Sequence, residues 1–134
     1  MGHAHSFEVW NSSGELVGGG YGLAVGRVFV TESMFSVEPN TSKIGLAMLN
    51  HHLATWGFVA NDGKDWSFPL EQAGMKLVPR AEYERLLARH AGADVHVGRW
   101  TVETDTAAAA PRAAAFYLSA GIVTSPGCGG YAEN

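Results

Sequence analysis

The sequence predicts an α/β domain of the α+β kind, with a mixed, mostly antiparallel sheet flanked by helices. Three observations predict it. Residues 6–10, 16–25 and 28–30 have strand character and are separated by short turn segments. Residues 44–56 place Ile44, Leu46, Ala47, Met48, Leu49, Leu53 and Trp56 at spacings of three and four, as an amphipathic helix does. A further apolar run at 58–62 follows directly, so the order strand, helix, strand calls for a crossover that brings two strand ends together.

Each element has a local reason. Residues 6–10 alternate in polarity, and Asn11-Ser12-Ser13-Gly14 is a turn built from residues that tolerate unusual φ, so a hairpin partner should follow. That partner, 16–25, carries Gly18, Gly19, Gly20 and Gly22, which in a strand signals a bulge or a close approach by something else, a ligand among the candidates. Gly26-Arg27 turns the chain into 28–30, completing a three-stranded antiparallel meander, and 31–36 reads as the exit from that strand. Asn40 or Thr41 can cap the helix and Gly57 can stop it. The strand at 58–62 delivers Asp62 to its C-terminal end, where α/β sheets commonly carry ligands and catalytic groups. Residues 65–75 read as a loop with a short helix, and Pro79 opens a helix running to about His90 with Tyr83, Leu86 and Leu87 on one face. Beyond it, 95–102 alternates like a strand, 106–110 is a low-complexity bridge, and 111–120 reads as a final helix.

Composition narrows the function classes. A chain of 134 residues, 46% hydrophobic and 16% charged, suits one compact domain, here expected to be soluble and cytoplasmic. No apolar run approaches the ~20 residues that a membrane helix needs, and no basic segment followed by an apolar run marks a secretory signal at the start. The single Cys128 excludes an internal disulfide framework. A net charge of −4 gives phosphate backbones no strong overall attraction, so a nucleic-acid partner must be held locally. Arg80, Arg85 and Arg89 group near one helix, as a solvated helix face would.

Three constellations could carry chemistry. His3 with His5, and His51 with His52, lack the i, i+4 spacing and distant carboxylate of a zinc site, so no metal is expected. The run Gly18-Gly19-Gly20 with Gly22 is followed by neither Lys-Ser/Thr nor a helix start, which argues against a phosphate loop. The third is Glu32 with Asp62 and Lys64, placed at two strand ends that the crossover would bring near each other. This one is favoured.

Residues 2–10, 16–22, 32–36, Ser42-Lys43, Asp62 and 74–80 resemble, in order and spacing, the bacterial leucyl/phenylalanyl-tRNA–protein transferases. The resemblance covers about residues 2–90. It implies an N-acetyltransferase-like (GNAT) fold, no metal or cofactor, and transfer of an amino acid from the 3′ end of an aminoacyl-tRNA to an N-terminal α-amine. By that resemblance Phe29, Glu32 and Met34 match residues lining the pocket for the amino-acid side chain, and Asp62 matches the carboxylate that orients the attacking amine or the ribose. Gly20, Thr31, Leu49, Asn61 and Gly63 stand where the family usually has Met, Gly, Phe, Ile and Cys, and Lys64 stands where it has Gln. Relative to the family the chain is read as truncated, without the N-terminal domain and the first part of the catalytic one, and with a divergent extension over 91–134 in a single domain of 1–134.

The expected activity is aminoacyl transfer from a tRNA to a protein or peptide amine. Asp62 would orient the nucleophile or take its proton, and Lys64 would supply an oxyanion donor. Thr31 and Asn61 add a hydroxyl and an amide to the expected pocket wall, which points to a donor smaller or more polar than leucine, alanine first, against Gly20 and Leu49, which would enlarge the cavity. A small biosynthetic peptide, such as an antibiotic precursor, as acceptor would fit the loss of the flanking domains. A non-catalytic amino-acid or peptide binder and a thioester-dependent acyltransferase are the rival classes.

Overall fold

A computed structural model describes residues 2–94 and 98–101. Four strands form one sheet in the order β1-β2-β3-β4: β1 Ala4–Trp10, β2 Leu16–Val25, β3 Val28–Ser36 and β4 Ala60–Asp62. The first three pair antiparallel, and β4 lies parallel to β3 with Val28 opposite Ala60 and Val30 opposite Asp62. Helix α1, Thr41–Thr55, makes the crossover between them. A short α2, Phe68–Gln72, and α3, Arg80–His90, complete the described chain. The α+β class and the mixed sheet are as expected.

Four boundaries differ from the sequence reading. The segment 31–36 is not a strand exit, because β3 continues to Ser36; pairing with β2, in which Ser36 lies opposite Gly18, holds its backbone extended. The strand read at 58–62 is shorter and begins at Ala60. Asn40 does precede α1, but with φ 66° and no side-chain cap bond. The Thr41 hydroxyl instead lies 2.7 Å from the Val17 carbonyl oxygen and 2.8 Å from that of Glu38, tying the helix start to β2. Residues 98–101 form no strand, while the rest of the strand read at 95–102, the bridge and the final helix lie outside the described residues.

The glycines of β2 have a packing reason. A Cβ at Gly20 would sit 2.8 Å from the Phe7 ring and 2.9 Å from Met34 Cγ, and one at Gly22 would sit 2.6 Å from the Phe29 ring. Side chains from β1 and β3 therefore lean over β2, where the sequence reading had allowed a ligand, and Gly20 opens no extra pocket space. The bulge expected in β2 falls at Val17, the extra residue between the pairs Val9–Gly18 and Trp10–Leu16, and the facing strand β3 carries a second one. Tyr21 pairs with Ser33 and Gly22 with Thr31, which leaves Glu32 as the extra residue of β3. One extra residue reverses the alternation of faces. Phe29 packs in the cluster with Leu46, Leu49 and Leu53 of α1, and past the bulge Met34 reaches the same cluster.

Two cores result, one on each side of the sheet. The larger joins Phe29 and Ala24 to α1, Phe58 and Met75, with Phe7, Trp56 and Trp100 at its margin. The smaller lies on the opposite face, where Val28 and Ala60 meet Val78, Tyr83, Leu86 and Leu87. It positions α3, which begins directly after Pro79, as the proline predicts. Tyr21, Leu23, Val25 and Phe35 stay exposed on the sheet.

Candidate active site

Successive residues of β4 point to opposite faces, and this divides the expected site in two. Asn61 points toward α1. Its Nδ2 donates to Asn50 Oδ1 at 2.6 Å, and its Oδ1 accepts from the Thr31 hydroxyl at 2.7 Å. All three side chains are buried. The hydroxyl and amide that the sequence reading assigned to a pocket wall thus satisfy each other and a third residue of the helix. Its argument for a polar donor is thereby removed, because neither group is left to penalise a leucine side chain. Phe29 and Leu49 are likewise buried in the larger core, and Met34 packs at its edge.

Asp62 points to the other face, into the smaller core. It is only 5% exposed, yet both carboxylate oxygens are occupied. The Lys64 backbone N–H donates to Oδ1 at 2.7 Å, closing a tight turn over Gly63 in which Lys64 adopts φ 65°. The Tyr83 hydroxyl donates to Oδ2 at 2.7 Å. Burial, with the hydrogen bond to Asp62 and its charge, pushes the Tyr83 phenol well above its ordinary value, so it stays a donor through the neutral and mildly alkaline range. Sequence reading placed Tyr83 on an apolar helix face and missed this role. A tyrosine among leucines carries a hydroxyl that needs a partner, and that is the signal that could have found it.

Lys64 and Glu32 do come together, as an ion pair between the β4 exit and the β3 bulge. Glu32 is therefore not at a strand end but within the strand, where the bulge re-aims it. Lys64 remains 45% exposed. Its hydrogen bond to Glu32 raises its pKa, slight burial opposes this, and the charges of Glu32, Asp62 and Tyr21 add to the rise, so the ammonium is retained. Asp62, Gly63, Lys64 and Glu32 thus form one group at the sheet end, while Phe29, Thr31, Leu49 and Asn61 form another beneath it.

An apolar cavity of about 400 Å³ lies elsewhere, between β1 and α1, lined by Phe7, Val9, Met48, Leu49, His52, Trp56 and Trp100 among others. Of the expected site residues only Leu49 borders it. The cavity's β1 wall stands three interstrand spacings, roughly 14 Å, from β4, and the cavity lies on the α1 side of the sheet, whereas Asp62 bonds Tyr83 on the other side. His5 stacks on Trp100 at 3.5 Å between ring centroids, and Trp100 also meets Phe29, Trp56 and Phe58. Burial lowers the pKa of both His5 and His52.

Comparison with known proteins agrees with this geometry in one respect: the matching region contains both residue groups. The family model described as leucyl/phenylalanyl-tRNA protein transferase matches residues 1–88. A leucyl/phenylalanyl-tRNA–protein transferase of Pseudomonas syringae pv. syringae is 49% identical over 89 residues, covering 66% of this chain and 38% of the relative. One from Hydrogenovibrio crunogenus is 43% identical over 104 residues, covering 78% of this chain and 40% of the relative. The chain spans about two fifths of the length of these relatives. With the family model matched over most of its length, the chain belongs to the leucyl/phenylalanyl-tRNA–protein transferase family.

Proposed function

We propose that this chain is an aminoacyltransferase that moves the aminoacyl group of an aminoacyl-tRNA onto an amine, in the cytoplasm, where charged tRNA is made. The observation that carries the reading is a coincidence of two findings. The family match runs through residues 1–88, and within it Asp62 is held at both oxygens beside the Lys64–Glu32 pair. We take residues 1–134 as one domain of N-acetyltransferase-like fold, with 2–90 as its family-like region. The parallel β3–β4 pair with α1 as crossover, on an antiparallel meander, supports that fold.

An aminoacyl ester is already activated, so positioning supplies much of the catalysis. The amine nitrogen attacks the ester carbonyl carbon, the new C–N bond forms, and the bond from that carbon to the ribose oxygen breaks. The amine loses a proton and the departing ribose oxygen gains one. Asp62 retains lone pairs beyond the two already used and accepts an N–H of the incoming amine. The Lys64 ammonium has three N–H groups, one of which serves Glu32, which leaves two to donate to the developing oxyanion. Glu32 positions that ammonium.

The donor we propose is leucyl- or phenylalanyl-tRNA, as the relatives' names state for them, since Thr31 and Asn61 no longer argue for alanine. The acceptor follows the same names: a protein N-terminal amine. No described residue favours a small biosynthetic peptide. Incubation with radiolabelled Leu-, Phe-, Ala- and Ser-tRNA and a set of peptide amines tests the reading. Label passing from leucyl- or phenylalanyl-RNA to peptide supports it. Binding without turnover would leave an amino-acid-binding homologue, and turnover only with thioester donors would make it a different acyltransferase.

A further inference from the structure

Among the described residues that hydrogen-bond the Asp62 carboxylate, Tyr83 is the one that comes from a different layer of the fold. Its ring packs with Val28 and Ala60 in the smaller core, and α3 carries it within the first turn after Pro79. From there the hydroxyl meets Asp62 Oδ2 at 2.7 Å, while the Lys64 N–H meets Oδ1 at the same distance. A carboxylate held by the loop alone could still turn about χ2. Held at the second oxygen from a packed helix, it cannot turn without breaking a partly buried bond to a charged group, and losing such a bond is costly. The remaining lone pairs are then aimed in fixed directions.

We infer that Tyr83 is a positioning residue for aminoacyl transfer, fixing the Asp62 carboxylate in the orientation that receives the attacking amine. The inference rests on the transfer reading above. Tyr83 itself takes no proton and touches no substrate. It acts through Asp62, and its packing on Val28 and Ala60 makes the orientation a property of the tertiary fold.

The test uses Tyr83→Phe, which keeps the ring and its packing and removes only the hydroxyl. Transfer from leucyl- or phenylalanyl-tRNA to a dipeptide amine is followed under steady-state and single-turnover conditions, alongside Asp62→Ala and the double variant. A charge-assisted hydrogen bond has a strength that corresponds to a loss of roughly 10- to 100-fold in kcat, with KM for the tRNA unchanged. The double variant should be no slower than Asp62→Ala alone, since without the carboxylate there is nothing left to orient. A purely structural role would instead give multiplying losses, and that outcome overturns the inference. So does an unchanged kcat in Tyr83→Phe while the wild type transfers. Absence of transfer by the wild type overturns the transfer reading itself, and the two failures are distinguishable. Urea midpoints of all variants, taken without substrate, identify any rate loss that comes from unfolding.

Discussion

Replacing Asn61 by alanine removes the middle of the buried chain that links β3, β4 and α1. Thr31, Asn50 and Asn61 are 6%, 3% and 4% exposed, so water cannot take the place of the lost amide. Asn50 Oδ1 loses the donor it has at 2.6 Å and the Thr31 hydroxyl loses its acceptor at 2.7 Å. Each orphaned group costs about 1–3 kcal/mol; the Thr31 hydroxyl can rotate toward another acceptor and falls at the low end, so a total loss of about 3 kcal/mol is expected. That is a large part of the 5–15 kcal/mol typical of a domain. In urea, with a slope of about 1.5–2 kcal/mol per M, the midpoint should fall by roughly 1.5–2 M at unchanged slope. Thr31→Val, nearly the same shape without the donor, should cost about 1 kcal/mol, and the double variant should lose about 1 kcal/mol less than the sum of the two. A loss below about 1 kcal/mol for Asn61→Ala, or strict additivity in the cycle, would refute the idea that these residues act as one satisfied unit.

Gly22→Ala should destabilise by at least about 2 kcal/mol, because its Cβ would collide with the Phe29 ring and the Val30 carbonyl oxygen; thermal melts check this. The pH dependence has a worked sign. The unfolded-state phenol of Tyr83 ionises near its ordinary value of 10.0 while the folded one does so higher, so stability is fully present below about 10 and is lost as pH rises through the folded pKa; unfolding by urea at pH 8 and pH 11 reads it, and Tyr83→Phe should flatten the loss. His5 and His52 are depressed, so the folded state binds fewer protons and stability falls as pH drops below about 6.5; midpoints at pH 7.5 and pH 5.5 should show the decrease. Lys64→Gln breaks an exposed ion pair and should leave the urea midpoint essentially unchanged in equilibrium unfolding, while leaving an amide able to donate toward the oxyanion.

Asp62 illustrates how a structural reading changes the choice of variant. At the exit of a strand a carboxylate is expected to matter little for folding, so that Asp62→Ala would leave the fold untouched. Its burial and its two donors make it part of the smaller core, and alanine there leaves the Tyr83 hydroxyl unpaired. Asp62→Asn keeps one acceptor oxygen, for the Lys64 N–H, and turns an amide N–H toward the Tyr83 hydroxyl, which can accept it, so the charge is lost with less loss of contact than in alanine.

What the amino-acid order determined by itself is whatever depends on near neighbours. The alternation of 6–10, the turn at 11–14, the helical spacing of 44–56 and Pro79 as a helix start act over a few residues, and each element lies where those signals place it. The glycines of β2 did not locate the bulge that re-aims Glu32, which lies in the facing strand β3. The meeting of Glu32 with Lys64 was legible from the strand, helix, strand order, but the partners of Asn61 and Tyr83 were not, because Thr31 and Asn50 stand 30 and 11 residues from Asn61 and Asp62 stands 21 from Tyr83. Only the packed sheet decided them. The bulge at Glu32 reversed which residues of β3 face α1, and the alternation of β4 sent Asn61 and Asp62, adjacent in the chain, into different cores. A strand residue has its face set by the register of its pairing, and that register exists only once strands distant in the chain have met.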